Sequence, residues 1–95
     1  SSSSFELEEP EKIKFSSQVF GFDFHPSRDL IGVGLVTGEC QLWEYSCRPK
    51  GNRGIWKTNH HQMSCREVKF SSDGSVLFTG SADNSISVID VGTGK

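Results

Sequence analysis

From Ser64 to Asp90 the chain alternates between short apolar runs and turn residues. Val68 and Phe70 alternate with Glu67 and Lys69, the period of two that marks a strand. Ser72-Asp73-Gly74 follows, and Asp-Gly tolerates the positive φ that a hairpin reversal needs. Val76 to Thr79 is apolar and β-favouring, and Gly80 ends it. Asp83-Asn84 reverses the chain again before Ile86, Val88 and Ile89. The pattern predicts strands at Val68–Phe70, Val76–Thr79 and Ile86–Ile89, forming a compact meander.

The same pattern occurs earlier. Aligning Phe24 with Phe70 sets Phe22 on Val68, Leu30-Ile31 on Val76-Leu77 and Gly34 on Gly80. Thr37-Gly38 then meets Asp83-Asn84, and Leu42-Trp43 meets Val88-Ile89. Apolar and turn positions stay in register through the whole segment, so the chain reads as two copies of one unit. The first copy predicts strands at Val19–Phe24, Leu30–Leu35, Cys40–Tyr45 and Ile55–Thr58. A loop with Pro49, Gly51, Asn52 and Gly54 precedes the last of these. Ile13–Phe15 reads as a further short strand, without a partner in either meander. Leu42 with Trp43, Val76 with Leu77, and Val88 with Ile89 make the strands apolar on both faces. An antiparallel sheet with one wet face alternates cleanly, so both faces are expected to be covered.

Length and charge narrow this further. Ninety-five residues make at most one small domain. No apolar run approaches the roughly 18 residues of a membrane span. The absence of an initiator Met suggests a piece of a longer chain, and no secretory signal is read in the Ser-rich start. Residues 1–12 read as a disordered acidic, Ser-rich tail. Three cysteines fit no closed disulfide framework, and no Asn-x-Ser/Thr site occurs. Both favour a reducing compartment. A net charge of −2 gives no global attraction to nucleic acid. Arg48, Lys50, Arg53 and Lys57 nevertheless make the middle basic.

The chain resembles WD-repeat propellers, most of all the WD repeat-containing protein 55 family. The residues that carry this are FHPSRDL from Phe24, YSC from Tyr45, His60-His61, CREVKFSSDG from Cys65 and SADNSISVIDVGTG from Ser81. The resemblance implies an all-β fold: one complete four-stranded blade plus three strands of a second. Residues 13–95 would hold the first two repeats, at about 13–46 and 54–91, of a larger propeller. Ile13–Phe15 would belong to the last blade of the closed ring. It implies a nuclear and nucleolar scaffold, with some cytoplasmic presence, in ribosome biogenesis and ribosomal RNA production. Its partners would be pre-ribosomal proteins. The alternative is a substrate receptor of a cullin-four ubiquitin ligase, bound through that ligase's adaptor. Two departures stand out. Trp43-Glu44 and Ile89-Asp90 replace the typical Trp-Asp pair. Gly92 stands where such ligase receptors carry Arg.

His61, Ser81 and Asp83 look at first like a hydrolase triad, which needs an exposed activated Ser with oxyanion donors. No Gly-x-Ser-x-Gly elbow accompanies them. In WD repeats such residues brace a blade by hydrogen bonds, so a structural brace is the favoured reading, with Ile89 in place of its usual Trp. Phe15 and Thr37 hold the equivalent positions in the first copy, which therefore lacks the brace. Cys47, His60, His61 and Cys65 do not form the two close ligand pairs of a structural zinc site. A buried thiol and a structural His are expected instead. Arg48, Lys50, Arg53 and Lys57, beside Trp56, are candidate contacts for ribosomal RNA or a partner. A solvated loop on the blade's rim is the favoured reading, because charge is common in loops. Gly92-Thr93-Gly94-Lys95 lacks the first Gly of a phosphate loop, since Ile89 stands there. No enzyme activity, cofactor, metal or small-molecule substrate is expected.

Overall fold

The computed structural model describes residues 11–95. Seven strands run in order: β1 Val19–Phe24, β2 Leu30–Leu35, β3 Glu39–Glu44, β4 Arg53–Asn59, β5 Cys65–Phe70, β6 Val76–Ser81 and β7 Ile86–Asp90. They form two antiparallel meanders, β1-β2-β3-β4 and β5-β6-β7. The chain is all-β, as its turn spacing predicts. Each strand lies within a few residues of its expected bounds, and β5 departs most by starting at Cys65. Its extra residues pair through Cys65 with Ser81, across a register shift before Glu67. β4 starts early for a similar reason: Leu42 faces Trp56 while Trp43 faces Gly54, so Ile55 is an extra residue at a bulge.

Two expectations about the start of the chain fare differently. The tail expected over 1–12 lies, up to residue 10, outside the described residues. Ile13–Phe15 has no partner in either sheet, as expected, and so is not assigned as a strand. Phe15 packs against Trp43 with the rings nearly perpendicular and centroids 6.0 Å apart, and Glu11 accepts a hydrogen bond from the Lys50 backbone N–H. Side-chain packing holds this segment without ladder bonds.

The repeat is exact at the level of pairing. Phe22 faces Val33 and Phe24 faces Ile31 in the first sheet. Their counterparts Val68 and Phe70 face Thr79 and Leu77 in the second. Ile31 with Trp43 corresponds to Leu77 with Ile89. Even the register shift recurs, between Val19 and Gly21 and again between Cys65 and Glu67.

That register decides how the sheets stack. The core lies between them and holds Leu30, Cys40, Leu42, Cys65, Val68, Phe70, Leu77, Ile89 and Val91, with Trp56 against it. The second sheet buries Val68, Phe70, Leu77 and Ile89. Their equivalents in the first, Phe22, Phe24, Ile31 and Trp43, point the other way. The contact is therefore head to tail, one face meeting the opposite face of its copy. Gly34 makes the approach possible: a Cβ there would lie 2.6 Å from the Cys65 Sγ and 2.8 Å from its carbonyl oxygen. No side chain fits in that space. The two outward faces are apolar. Phe22 and Phe24 are 58% and 53% exposed, and Ile86 and Val88 are 76% and 62% exposed. Ile13, Phe15, Phe22, Phe24, Ile31 and Tyr45 line an open groove of about 660 Å³ on the first face.

Candidate functional site

Polar groups concentrate at the junction of the two sheets and in the turns that flank it. Asp23, facing the junction from β1, accepts a hydrogen bond from the Phe70 backbone N–H at 2.9 Å. The β1–β2 turn adds His25, whose Nδ1 accepts from the backbone N–H groups of Ser27 and Arg28 at 3.1 and 3.0 Å. Two donors on Nδ1 place the imidazole proton on Nε2. Nε2 therefore donates to the Gly74 carbonyl in the other sheet, 3.0 Å away. The ring also stands edge-on to Phe70, with centroids 5.1 Å apart. Neither Asp23 nor His25 was among the sequence-predicted site residues. Their spacing carries no motif, and their partners are backbone atoms.

The expected brace forms with different members. His61 is buried and its Nε2 lies 2.8 Å from the Thr79 hydroxyl, while Nδ1 lies 2.9 Å from that of Ser85. Ser85 in turn donates its hydroxyl proton to Asp83. With that proton committed, Ser85 accepts from His61 Nδ1–H, and His61 Nε2 accepts from Thr79. The chain of bonds runs Thr79, His61, Ser85, Asp83. The Asp83 carboxylate lies 3.7 Å from Nδ1 and also takes the Gln62 N–H at 2.9 Å. The Ser85 hydroxyl, and next the Gln62 N–H, hold the Asp83 carboxyl down at about 2.

Ser81 is a correction. Its hydroxyl donates to the Met63 carbonyl and accepts from the Asp83 N–H, both at 3.1 Å. It belongs to the turn, because a hydroxyl at a strand end finds the free N–H two residues on. Thr79 takes its place. The strand period could have found it, since Thr79 follows inward-facing Leu77 by two. In the first sheet Val33 and Glu39 occupy the positions of Thr79 and Ser85, so no such chain of hydroxyls is available there.

A hydroxyl donating to an imidazole is also how a nucleophile is activated. Thr79, however, is 1% exposed, which leaves no approach for a substrate. The arrangement satisfies buried polar groups instead.

Cys40 and Cys65 meet across the junction, with sulfurs 3.3 Å apart and neither side chain exposed. The Cys40 S–H donates to Cys65. That bond pushes the Cys40 thiol far up, reinforced by burial, and lowers Cys65 despite burial. Cys47 is exposed, so the structure does not gather it with Cys65 and the histidines. His60 bonds the Thr58 hydroxyl at 2.9 Å. No cluster of three or more metal-ligating side chains occurs among the described residues.

The basic residues do not act as one patch. Arg53 pairs with Glu44 at 3.2 Å, with both side chains exposed. Lys50 lies in the β3–β4 loop and Lys57 on β4, beside Trp43 and Ile55. Trp56 is committed to the fold: its Nε1–H donates to the Val91 carbonyl at 2.8 Å, and its ring lies against Gly94.

Comparisons place this geometry among known proteins. The Danio rerio protein named WD repeat-containing protein 55 is 43% identical over 88 residues, covering 93% of this chain and 23% of that protein. Its Homo sapiens namesake is 41% identical over 86 residues, covering 90% of this chain and 22% of the relative. The chain thus spans less than a quarter of the length of the curated relatives it matches. The crystal structure of Saccharomyces cerevisiae Sqt1 superposes with a TM-score of 0.71 at 21% identity, over 81% of this chain and 20% of the other. At that identity the likeness speaks for the fold. The family model described as Anaphase-promoting complex subunit 4 WD40 domain matches residues 22–95. With two copies of one β-meander stacked head to tail, this chain belongs to the WD40 repeat family.

Proposed function

We propose that this chain is part of a non-catalytic scaffold for nucleolar ribosome assembly and ribosomal RNA production. The observation that carries the reading is the 43% identity, over 93% of the chain, to WD repeat-containing protein 55. The site chemistry agrees with a scaffold. Buried polar side chains bond one another or the backbone, and the described residues leave no buried side-chain N or O without a partner. Work of this kind is done by surfaces that hold other proteins, with the junction residues keeping the sheets in place. Pre-ribosomal proteins are the proposed partners and the nucleolus the proposed location.

Contact with ribosomal RNA, if it accompanies assembly, would run through phosphates at Arg48, Lys50 and Lys57. Trp56 is already packed, and Arg53 already shares Glu44. Charge reversal at Arg48, Lys50 and Lys57 then lowers RNA affinity and flattens its salt dependence. An unchanged salt slope leaves the loop as surface.

The main test is affinity purification of the tagged full-length protein from nuclear extract, with a fluorescent fusion to report location. Co-purification of pre-ribosomal particles, and accumulation of precursor ribosomal RNA on depletion, is the expected result. Recovery of cullin-four components without pre-ribosomal proteins would overturn it in favour of a ligase substrate receptor. Gly92, standing where such receptors carry Arg, speaks against that outcome.

A further inference from the structure

We propose that Cys40 and Cys65 are a redox pair, and that their oxidation to a disulfide locks the two sheets together. The sulfurs sit 3.3 Å apart on different sheets. Both are fully buried, in a core that otherwise holds aliphatic and aromatic side chains. Their approach is built into the backbone. Cys40 is the cross-strand partner of Gly34. The missing side chain at Gly34 is what leaves room for the Cys65 sulfur, which would lie 2.6 Å from a Cβ there. A disulfide requires the sulfurs to close to about 2.05 Å. Side-chain rotation can supply that movement, because the two thiols already face each other.

Hydrogen peroxide serves as the oxidant. The Cys65 thiolate attacks one peroxide oxygen: an S–O bond forms, the O–O bond breaks, and the departing hydroxide takes up a proton as water. This leaves Cys65 as a sulfenic acid. The Cys40 sulfur then attacks the Cys65 sulfur. The S–S bond forms, the S–O bond breaks, and a second water leaves with the Cys40 proton. Two thiols lose two electrons in all and peroxide gains them. The hydrogen bond from Cys40 favours Cys65 as the attacking thiolate.

Burial governs the rate. Gly38, two residues before Cys40, packs against the carbonyl oxygens of His61 and Met63. Peroxide reaches the sulfurs when this end of the junction opens, a local fluctuation rather than global unfolding. The same cover shelters the disulfide from reductants afterwards. A bond formed this way joins residues on opposite sides of the junction and limits the separation of the sheets in the unfolded chain.

The test uses the intact protein with Cys47→Ser, which removes the exposed thiol of this segment, and peptide mapping identifies the partners of any bridge. Folded protein is treated with graded hydrogen peroxide, unfolded with an alkylating agent present, digested and mapped by mass spectrometry. The expected product is the Cys40 peptide joined to the Cys65 peptide, two hydrogens lighter than the reduced pair. The two alkylated peptides should fall in step, and a phosphine reductant should restore them. The thermal transition should rise with oxidation and return on reduction. The wild-type protein, mapped alongside, calibrates the dose through Cys47. Recovery of Cys40 and Cys65 as free thiols at a dose that fully oxidises Cys47 would overturn the proposal. So would a bridge that forms only when urea is present during oxidation, or Cys65 recovered as sulfinic acid without a bridge.

Discussion

The Nε2–H of His25 donates to the carbonyl oxygen of Gly74 at 3.0 Å, joining turns that lie 49 residues apart in the chain. One imidazole thereby closes the β1–β2 turn through Nδ1 and ties it to the second sheet through Nε2. Replacing it with Ala leaves two backbone N–H groups and one carbonyl without a partner. In the intact protein, His25→Ala should lower stability by about 1–3 kcal/mol, read from denaturant midpoints. A loss no larger than that of Arg28→Ala, in the same turn, would show that the bond to Gly74 carries little.

The hydroxyl chain at His61 makes a graded prediction. His61→Ala strands the Thr79 hydroxyl in a fully buried position and should cost about 1–3 kcal/mol. Ser81→Ala should cost less, because its hydroxyl serves an exposed turn bond. Thr37→Ala, at the position equivalent to Asp83, should be close to neutral, since its one bond is a long, exposed 3.4 Å contact to Glu39. Equal midpoints for His61→Ala and Thr37→Ala would remove the brace assignment.

Acid should weaken this turn in a defined window. Asp83 sits at about 2 in the folded protein, chiefly through the Ser85 hydroxyl, against an ordinary value of 3.8. Asp73 is likewise held at about 2 by the N–H and hydroxyl of Ser75 and then the hydroxyl of Ser71. A depressed carboxyl favours the folded state above its unfolded value. That contribution is complete above about pH 4 and disappears as the pH falls toward 2. Asp83→Asn should lower stability at neutral pH and reduce its fall between pH 4 and 2. Melts that keep the wild-type slope in that window would separate Asp83 from the acid response.

Gly34→Ala tests the stacking itself. The new methyl would meet the Cys65 carbonyl oxygen at 2.8 Å, and a backbone atom within a sheet cannot step aside cheaply. Overpacking of this kind typically costs about 1–3 kcal/mol. Unchanged denaturant midpoints would mean that the sheets sit further apart than the structure places them.

The outward faces predict how an isolated piece behaves. Phe22 and Phe24 on one side, with Ile86 and Val88 on the other, leave apolar surface that contributes roughly 25 cal/mol per Å² only when covered. Head-to-tail stacking also lets one copy's second sheet receive another copy's first. Residues 1–95 expressed alone should therefore associate or fold poorly, as seen by sedimentation and by amide NMR dispersion. A monomer with a cooperative thermal transition would contradict this.

Local chemistry determined most of the fold at the level of sequence. Period-two apolar runs, Asp73-Gly74 and Asp83-Asn84 specify strands and reversals among neighbouring residues. The match of Phe24 to Phe70 carried the pairing register, because identical turn spacing leads to identical ladders. Apolar residues on both strand faces likewise foretold sheets with both faces in need of cover. Only the tertiary structure decided which polar groups meet. His25 finds Gly74, Asp23 finds the Phe70 N–H, and Cys40 finds Cys65 because the sheets stack at one distance and rotation, which residue types do not encode. Thr79 rather than Ser81 reaches His61 because Ser81 lies where the strand gives way to a turn, and its hydroxyl takes the nearer backbone partners. That Phe15 packs against Trp43 was also decided only in three dimensions: side-chain packing can hold a segment that has no neighbouring strand to bond.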